Sequence, residues 1–233
     1  MKKVAILQSN YIPWKGYFDL IATVDEFILY DDVQYTKNDW RNRNKIITPN
    51  GIRWLTVPVK HSKLSQKIKH TKVSDKKWNI SHWSKLEANY SISCYYSDIS
   101  FELRSVYENI DSPFLSDINT LFIKLICKYL NIDTKITKCS DYSYQRNGKI
   151  DSLISLLKEA NATEYYTGPS ARAYLMENAF INNNIVLNYM NYGPYPVYKQ
   201  TNNNFVHSVT ILDLLFNVGI KNAKDYFRKI SNN

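Results

Sequence analysis

Cysteine, histidine and glycine are scarce in this 233-residue sequence, with three, four and six copies. Cys94, Cys127 and Cys139 are odd in number and form no C-x-x-C pair. That argues against a disulfide framework and against a structural zinc site. Cys127 lies in an apolar helical pattern and is expected to be buried, and none of the three has a local partner that would mark a nucleophile. His61, His70 and His207 have no histidine partner at i, i+4, so no metal is expected. The phosphate-loop signature G-x-x-x-x-G-K is absent. Long apolar runs are absent too: "LFIKLICKYL" is broken by Lys124 and Lys128 and cannot span a bilayer. The start "MKKVAILQSN" is basic, but its apolar run covers only residues 4–7, too short for a signal sequence. A cytoplasmic location without a transmembrane segment is therefore expected.

What is present is globular in composition, with 44% hydrophobic and 14% aromatic residues. Net charge is +9, from 30 basic and 21 acidic residues, which suits anionic partners: nucleotide, phosphosugar, tRNA or lipid headgroup. The lysines are scattered and form no basic stripe. Lys, Asn, Ile and Tyr are all abundant, as an A+T-rich genome would give. A phosphorylated small molecule is thus preferred over nucleic acid, with tRNA left open.

Along the chain, "KVAIL" reads as a buried strand, and Pro13 suits a helix start. Trp14, Tyr17, Phe18 and Ile21 share one helical face, and "EFILY" is a second buried strand. This is the βαβ unit of a parallel sheet. Apolar runs flank Pro49-Asn50-Gly51, a hairpin signal, and "KIKHTKVS" reads as a further short strand. The pattern is helical from Lys77 to about Leu130, interrupted at Ser112-Pro113, and residues 86–135 are assigned as a helical insertion or cap. The α/β alternation resumes with a helix through Ile150, Leu153, Ile154 and Leu157, a strand "TEYY", a turn and helix in "GPSARAYLMENAF", and a strand "NIVLNYM". The closing helix "TILDLLFNVG" stops at Gly219. The expectation is one α/β domain over 1–233, with a mostly parallel Rossmann-like sheet, flanking helices and the helical insertion.

Ligands of open α/β sheets sit beyond the carboxyl ends of the strands. Three unusual segments fall at such ends: Gln8, Asn10, Tyr11 and Trp14; then "YDDVQYTKNDWRNRNK"; then "TGPSARAYL" from Thr167. They are expected to converge on one hollow. Tyr11, Trp14 and Trp40 offer faces for base or sugar rings. Arg41 and Arg43 grip phosphates as planar forks, helped by the amides of the Gly168–Ser170 turn before a helix; Ser170 is equally read as an ordinary helix cap. Gln8, Asn10 and Gln34 orient polar groups. Asp31 is a candidate general base. So is His82, although it shares an apolar helical stripe with Trp78 and Leu86, as core histidines commonly do.

Taken together, "QSNYIPWKGYFDLI", "DDVQYTKNDWRNRNKI" with "WLTVPV", "KKWNISH", "YYTGPSARAYL", "PVYKQ" and "ILDLLFNVG" resemble the WbqC-like protein family, in the same order from residue 4 to about 219. The resemblance covers Asp31, Asp32 and Gln34, Arg43 and Asn44, Trp78 and His82, Gly168 to Ser170, Gln200, Asp213 and Asn217, and it brings Asp32, Asn44 and Gln200 among the substrate-binding residues. Two positions depart from the pattern. Ser9 stands where the family usually has Pro, and Gly193-Pro194-Tyr195 stands where it often has His. The resemblance implies bacterial cell-surface polysaccharide synthesis of the O-antigen or capsule type, with acyl or aminoacyl transfer to a nucleotide-linked amino sugar. It implies no tightly bound cofactor, only an activated acyl or aminoacyl donor as co-substrate. The alternatives are a non-catalytic scaffold binding nucleotide-sugar or RNA, and a degenerate HIGH-type nucleotidyltransferase. For the latter, Gly16-Tyr17 stands where those enzymes have Gly-His. The oligomeric state is not legible.

Overall fold

The computed structural model describes residues 1–202 and 204–227. The first half contains β1 (Lys3–Leu7), α1 (Lys15–Thr23), β2 (Glu26–Leu29), β3 (Arg43–Thr48), β4 (Gly51–Thr56), β5 (Val59–Lys60) and β6 (Lys72–Val73). Three helices follow, α2 (Trp78–Tyr90), α3 (Tyr96–Glu108) and α4 (Leu115–Tyr129). Then come β7 (Lys135–Lys138), α5 (Lys149–Glu159), β8 (Glu164–Thr167), α6 (Glu177–Ile181), β9 (Val186–Tyr189), α7 (Ile211–Val218) and α8 (Ile220–Ala223).

Five strands form one parallel sheet in the order β7-β2-β1-β8-β9. From β1 the chain steps outward through β2 to β7, then crosses back to β8 and β9. The order therefore reverses between β1 and β8, the crevice where doubly wound sheets hold ligands. Alternating side chains separate two cores. Ala5, Phe27 and Leu29 join α1, α4 and α7 on one face, while Val4, Ile6, Ile28 and Tyr165 join α5 and α6 on the other. No helix among the described residues is long and apolar enough to cross a membrane.

The hairpin β3–β4 turns where Pro49-Asn50-Gly51 was expected, with Gly51 at φ +91°. α7 starts at a Thr210 side-chain cap and stops at Gly219, φ +80°. A Cβ there would meet the Tyr95 ring at 2.5 Å, so both conformation and space require glycine.

Several boundaries differ from expectation. The three helices run from Trp78 to Tyr129, as the helical pattern from Lys77 to about Leu130 indicated, whereas Lys135, assigned to the insertion, opens β7. That four-residue edge strand was not anticipated, because "KITK" carries a single apolar residue. Pro13 lies outside α1, whose cap is Trp14. "KIKHTKVS" gives a short 3₁₀ turn and the two-residue β6. The segment after Gly168 is a 3₁₀ turn, Pro169–Ala173, before the five-residue α6, and no side chain caps it.

Candidate functional site

The turn from β1 into α1 is fastened to three other parts of the chain. Tyr11 N–H donates to the Trp40 carbonyl at 3.0 Å, and Ile211 N–H donates to the Pro13 carbonyl at 2.9 Å. The Asn44 side chain donates to the Tyr11 and Ile12 carbonyls at 3.2 and 2.8 Å. Ile12 sits at φ +36°, a conformation that branched side chains rarely adopt and that its surroundings must hold in place.

On one side of this turn, at the reversal of strand order, lies a cavity of about 600 Å³. It is bounded by Ile6, Leu7 and Gln8 of β1 and its exit, Tyr30 and Gln34 after β2, and Tyr165 and Thr167 of β8. Tyr174 lies at the β8 side, and Arg146, Gly148, Lys149 and Ser152 at the start of α5 close it. α5 has no side-chain cap and begins at Gly148, φ +107°. Its first-turn amides and dipole favour an anion, although Asp151 in the same turn partly meets that need.

Arg146 pairs with buried Asp32, which also binds Lys67 at 2.7 Å and Lys69 at 3.0 Å. Burial alone would raise the Asp32 pKa, but these cations outweigh it and hold the carboxyl below its ordinary value. Of these three cations Arg146 reaches the cavity, where Lys149 is the other basic residue of the lining.

A second, smaller hollow of about 260 Å³ opens beyond the turn, lined by Asn10, Pro13, Trp14, Trp40, Asn44 and Ser208. The three expected segments do converge, since Gln8, Gln34 and Thr167 share the larger cavity. Asn10, Trp14, Trp40 and Asn44 line the other hollow instead.

Several assigned roles do not fit this geometry. Tyr11 is fully buried and shows no face to a ligand. His82 is 2% exposed and committed on both ring nitrogens. The Thr56 carbonyl can only accept, so Nε2 donates to it at 3.1 Å, and Nδ1 accepts from the Tyr11 hydroxyl at 2.8 Å. The Tyr11 oxygen accepts in turn from Tyr107 at 2.6 Å. Burial lowers the His82 pKa to about 4, against the raising effect of the Thr56 carbonyl. Such an imidazole holds the core and is no free base.

Asp31 is likewise a staple, accepting from Ser9 N–H at 2.8 Å and from the Ser116 hydroxyl. Arg43 lies 4.1 Å over the Trp54 ring and donates to the Asn38 carbonyl, and Arg41 donates to Asn10 Oδ1. Both guanidinium groups are engaged within the fold, and neither lines the larger cavity. Gln200 donates to Asp213 at 2.8 Å and to the Val206 carbonyl at 3.1 Å, and Val206 N–H returns a bond at 2.8 Å. It therefore fastens its own loop. Gly168 and Ser170 stand beside Thr167 but do not line the cavity. Asp32 faces its three cations rather than the cavity. At the HIGH-like position, Tyr17 is buried and donates to the Gln8 carbonyl at 3.0 Å, so it reaches no phosphate.

Arg146 and Lys149 were missed, and Tyr30 and Tyr174, although inside the expected segments, were assigned no role. A basic "QRNGK" directly before a helix was the available signal, but without β7 it was not placed at a strand's carboxyl end. Among the described residues, no group of three or more His, Cys, Asp or Glu side chains could hold a metal ion. Cys127 is buried, and burial raises its thiol to about 12.

An all-parallel sheet with a ligand-sized, positively bordered cavity at its switch point defines an α/β protein of Rossmann-like class. The chain belongs to the WbqC-like protein family, whose model matches residues 8–225. It is 48% identical over 229 residues to Rv1507c of Mycobacterium tuberculosis (strain ATCC 25618 / H37Rv), described as an uncharacterized protein, covering 98% of each chain. No solved structure matches it.

Proposed function

We propose that the chain binds a nucleotide-linked amino sugar in the switch-point cavity and acylates or aminoacylates its amino group during synthesis of bacterial cell-surface polysaccharide. The cavity's position and lining carry the binding part of this reading. Its volume of about 600 Å³ falls in the range of small-molecule sites. Arg146, Lys149 and the opening amides of α5 take the phosphates, the tyrosine rings of Tyr30 and Tyr174 flank the base, and Gln8, Gln34 and Thr167 orient polar groups. The acyl-transfer part rests on the family resemblance.

In that reaction the sugar amine attacks the carbonyl carbon of a thioester or ester donor. A C–N bond forms, the C–S or C–O bond breaks, and the amine proton leaves with the thiolate, the alkoxide or water. The cavity lining contains no carboxylate or imidazole, and in this reading the chain acts chiefly by placement and charge. His82 and Asp31 take no part in the chemistry.

The test is calorimetric titration with uridine and thymidine diphosphate amino sugars, followed by mass analysis with acyl-CoA and aminoacyl donors. Binding of one nucleotide-sugar, weakened about tenfold by Arg146→Ala or Lys149→Ala as loss of a charged hydrogen bond requires, supports the reading. Stabilisation by RNA and by no nucleotide-sugar refutes it in favour of an RNA scaffold.

A further inference from the structure

The smaller hollow has its own chemistry. Trp14 forms one wall, fixed edge-on to Tyr192 and Tyr195 at 5.3 and 6.0 Å. Gly16 lies beneath it so closely that a Cβ would meet the ring at 2.3 Å. Trp40 forms another wall and is 37% exposed, and it leads onto Trp54, which is 41% exposed. These two rings lie 5.4 Å apart, tilted by 44°. Lys45 Nζ holds both from one side, at 5.6 and 5.3 Å from their centroids. Large indoles are thus kept half-open to water on a rigid floor, and the packing of the core does not require Trp40 there.

The rim is polar. Asn10 spends its Oδ1 on Arg41, which leaves its Nδ2 without a partner among the described residues. The Ser208 hydroxyl is in the same state. Asn44 is committed to the turn and serves as wall only. An apolar floor of aromatic faces with a donor and a hydroxyl at the edge matches one chemical class, a ring that is apolar on its flat face and hydroxylated at its rim. A pyranose is such a ring, and its axial C–H groups meet the negative face of an indole. Trp40 is tilted by 44° against its neighbour Trp54, so that pair offers no parallel slot for a flat base at the mouth of the hollow. At about 260 Å³ the hollow lies below the usual range for drug-sized ligands, which fits a single ring.

We infer that the Trp14–Trp40 hollow is a saccharide subsite for one pyranose unit, separate from the switch-point cavity. No residue lines both, so this subsite stands or falls independently of nucleotide binding.

The experiment is a titration of the ¹⁵N-labelled protein with methyl glucoside, methyl N-acetylglucosaminide and methyl glucuronide, following the tryptophan indole N–H signals. Uridine and glycerol serve as comparators. At least one pyranoside is expected to move the Trp14 and Trp40 signals saturably, leaving buried Trp78 and Trp83 in place. Trp40→Ala, at a half-exposed position that the fold tolerates, weakens this binding roughly tenfold, a change of about 1.4 kcal/mol. Trp40→Phe restores most of it, and Arg146→Ala leaves it unaltered. The inference is overturned if the pyranosides give only the unsaturable drift of glycerol. It is equally overturned if uridine alone saturates the signals, or if Trp40→Ala binds as tightly as the parent.

Discussion

His82 provides the sharpest test of whether an apparent catalytic histidine is structural. It is 2% exposed, accepts from Tyr11 and donates to the Thr56 carbonyl, with a pKa lowered to about 4 chiefly by burial. In the unfolded chain the same ring titrates near 6.5. Because the folded value is the lower one, the unfolded state binds protons first, and stability falls as pH drops from 6.5 towards 4. The whole shift corresponds to about 3 kcal/mol, of which about 2 kcal/mol is lost by pH 5. Other groups titrate as well. Glu26, lowered to about 2, loses its contribution only below its ordinary carboxylate range, and Asp213, raised by burial, acts in the opposite sense. The His82 part is therefore read as the difference between parent and His82→Gln, whose amide can still donate to Thr56. Urea unfolding of both proteins at half-unit steps from pH 7.5 to 4.5 measures it. The parent should lose about 2 kcal/mol more than the variant between pH 7.5 and 5. Parallel curves would refute the buried, neutral imidazole. A fully stable His82→Gln protein without turnover would return His82 to the chemistry.

Further outcomes follow from individual contacts. Asp31→Ala leaves the Ser9 amide and Ser116 hydroxyl without their acceptor, so urea unfolding should show a loss of about 3 kcal/mol with nucleotide-sugar affinity retained. Asn44→Ala frees the Tyr11 and Ile12 carbonyls and should cost about 2 kcal/mol, while disturbing the Trp14 indole signal more than those of Trp78 and Trp83. Gly16→Ala drives a methyl into the Trp14 ring and should cost about 1–3 kcal/mol in thermal or urea unfolding, as overpacking does. Lys15 is buried beneath Tyr195, Tyr198 and Phe205, and burial lowers its pKa to about 8. Since its folded value is depressed, stability should rise between pH 8 and 10, and Lys15→Met should remove that rise.

The first βαβ unit, the hairpin and the closing helix were legible because their apolar periods and turn residues agree locally. β7 was not, since an edge strand with one apolar residue carries no period. That omission hid the cavity's cationic side, because Arg146 and Lys149 then appeared to stand in an unplaced loop. The opposite error arose at Tyr11, Asp31, His82 and Gln200. Polar and aromatic residues gathered in motifs resemble ligand contacts, yet here long-range partners such as Ser116, Tyr107 and Asp213 satisfy them inside the fold. Sequence spacing does not reveal partners 85 to 96 residues away. Convergence of the Gln8, Gln34 and Thr167 segments was readable, because strand ends in a parallel sheet must meet along one edge.

The most direct measurement is a crystal structure of the protein grown with a saturating uridine diphosphate amino sugar. The diphosphate is expected beside Arg146 and Lys149 at the start of α5, with the sugar between the ends of β1 and β8. A nucleotide bound elsewhere on the molecule, with those two side chains untouched, would contradict it.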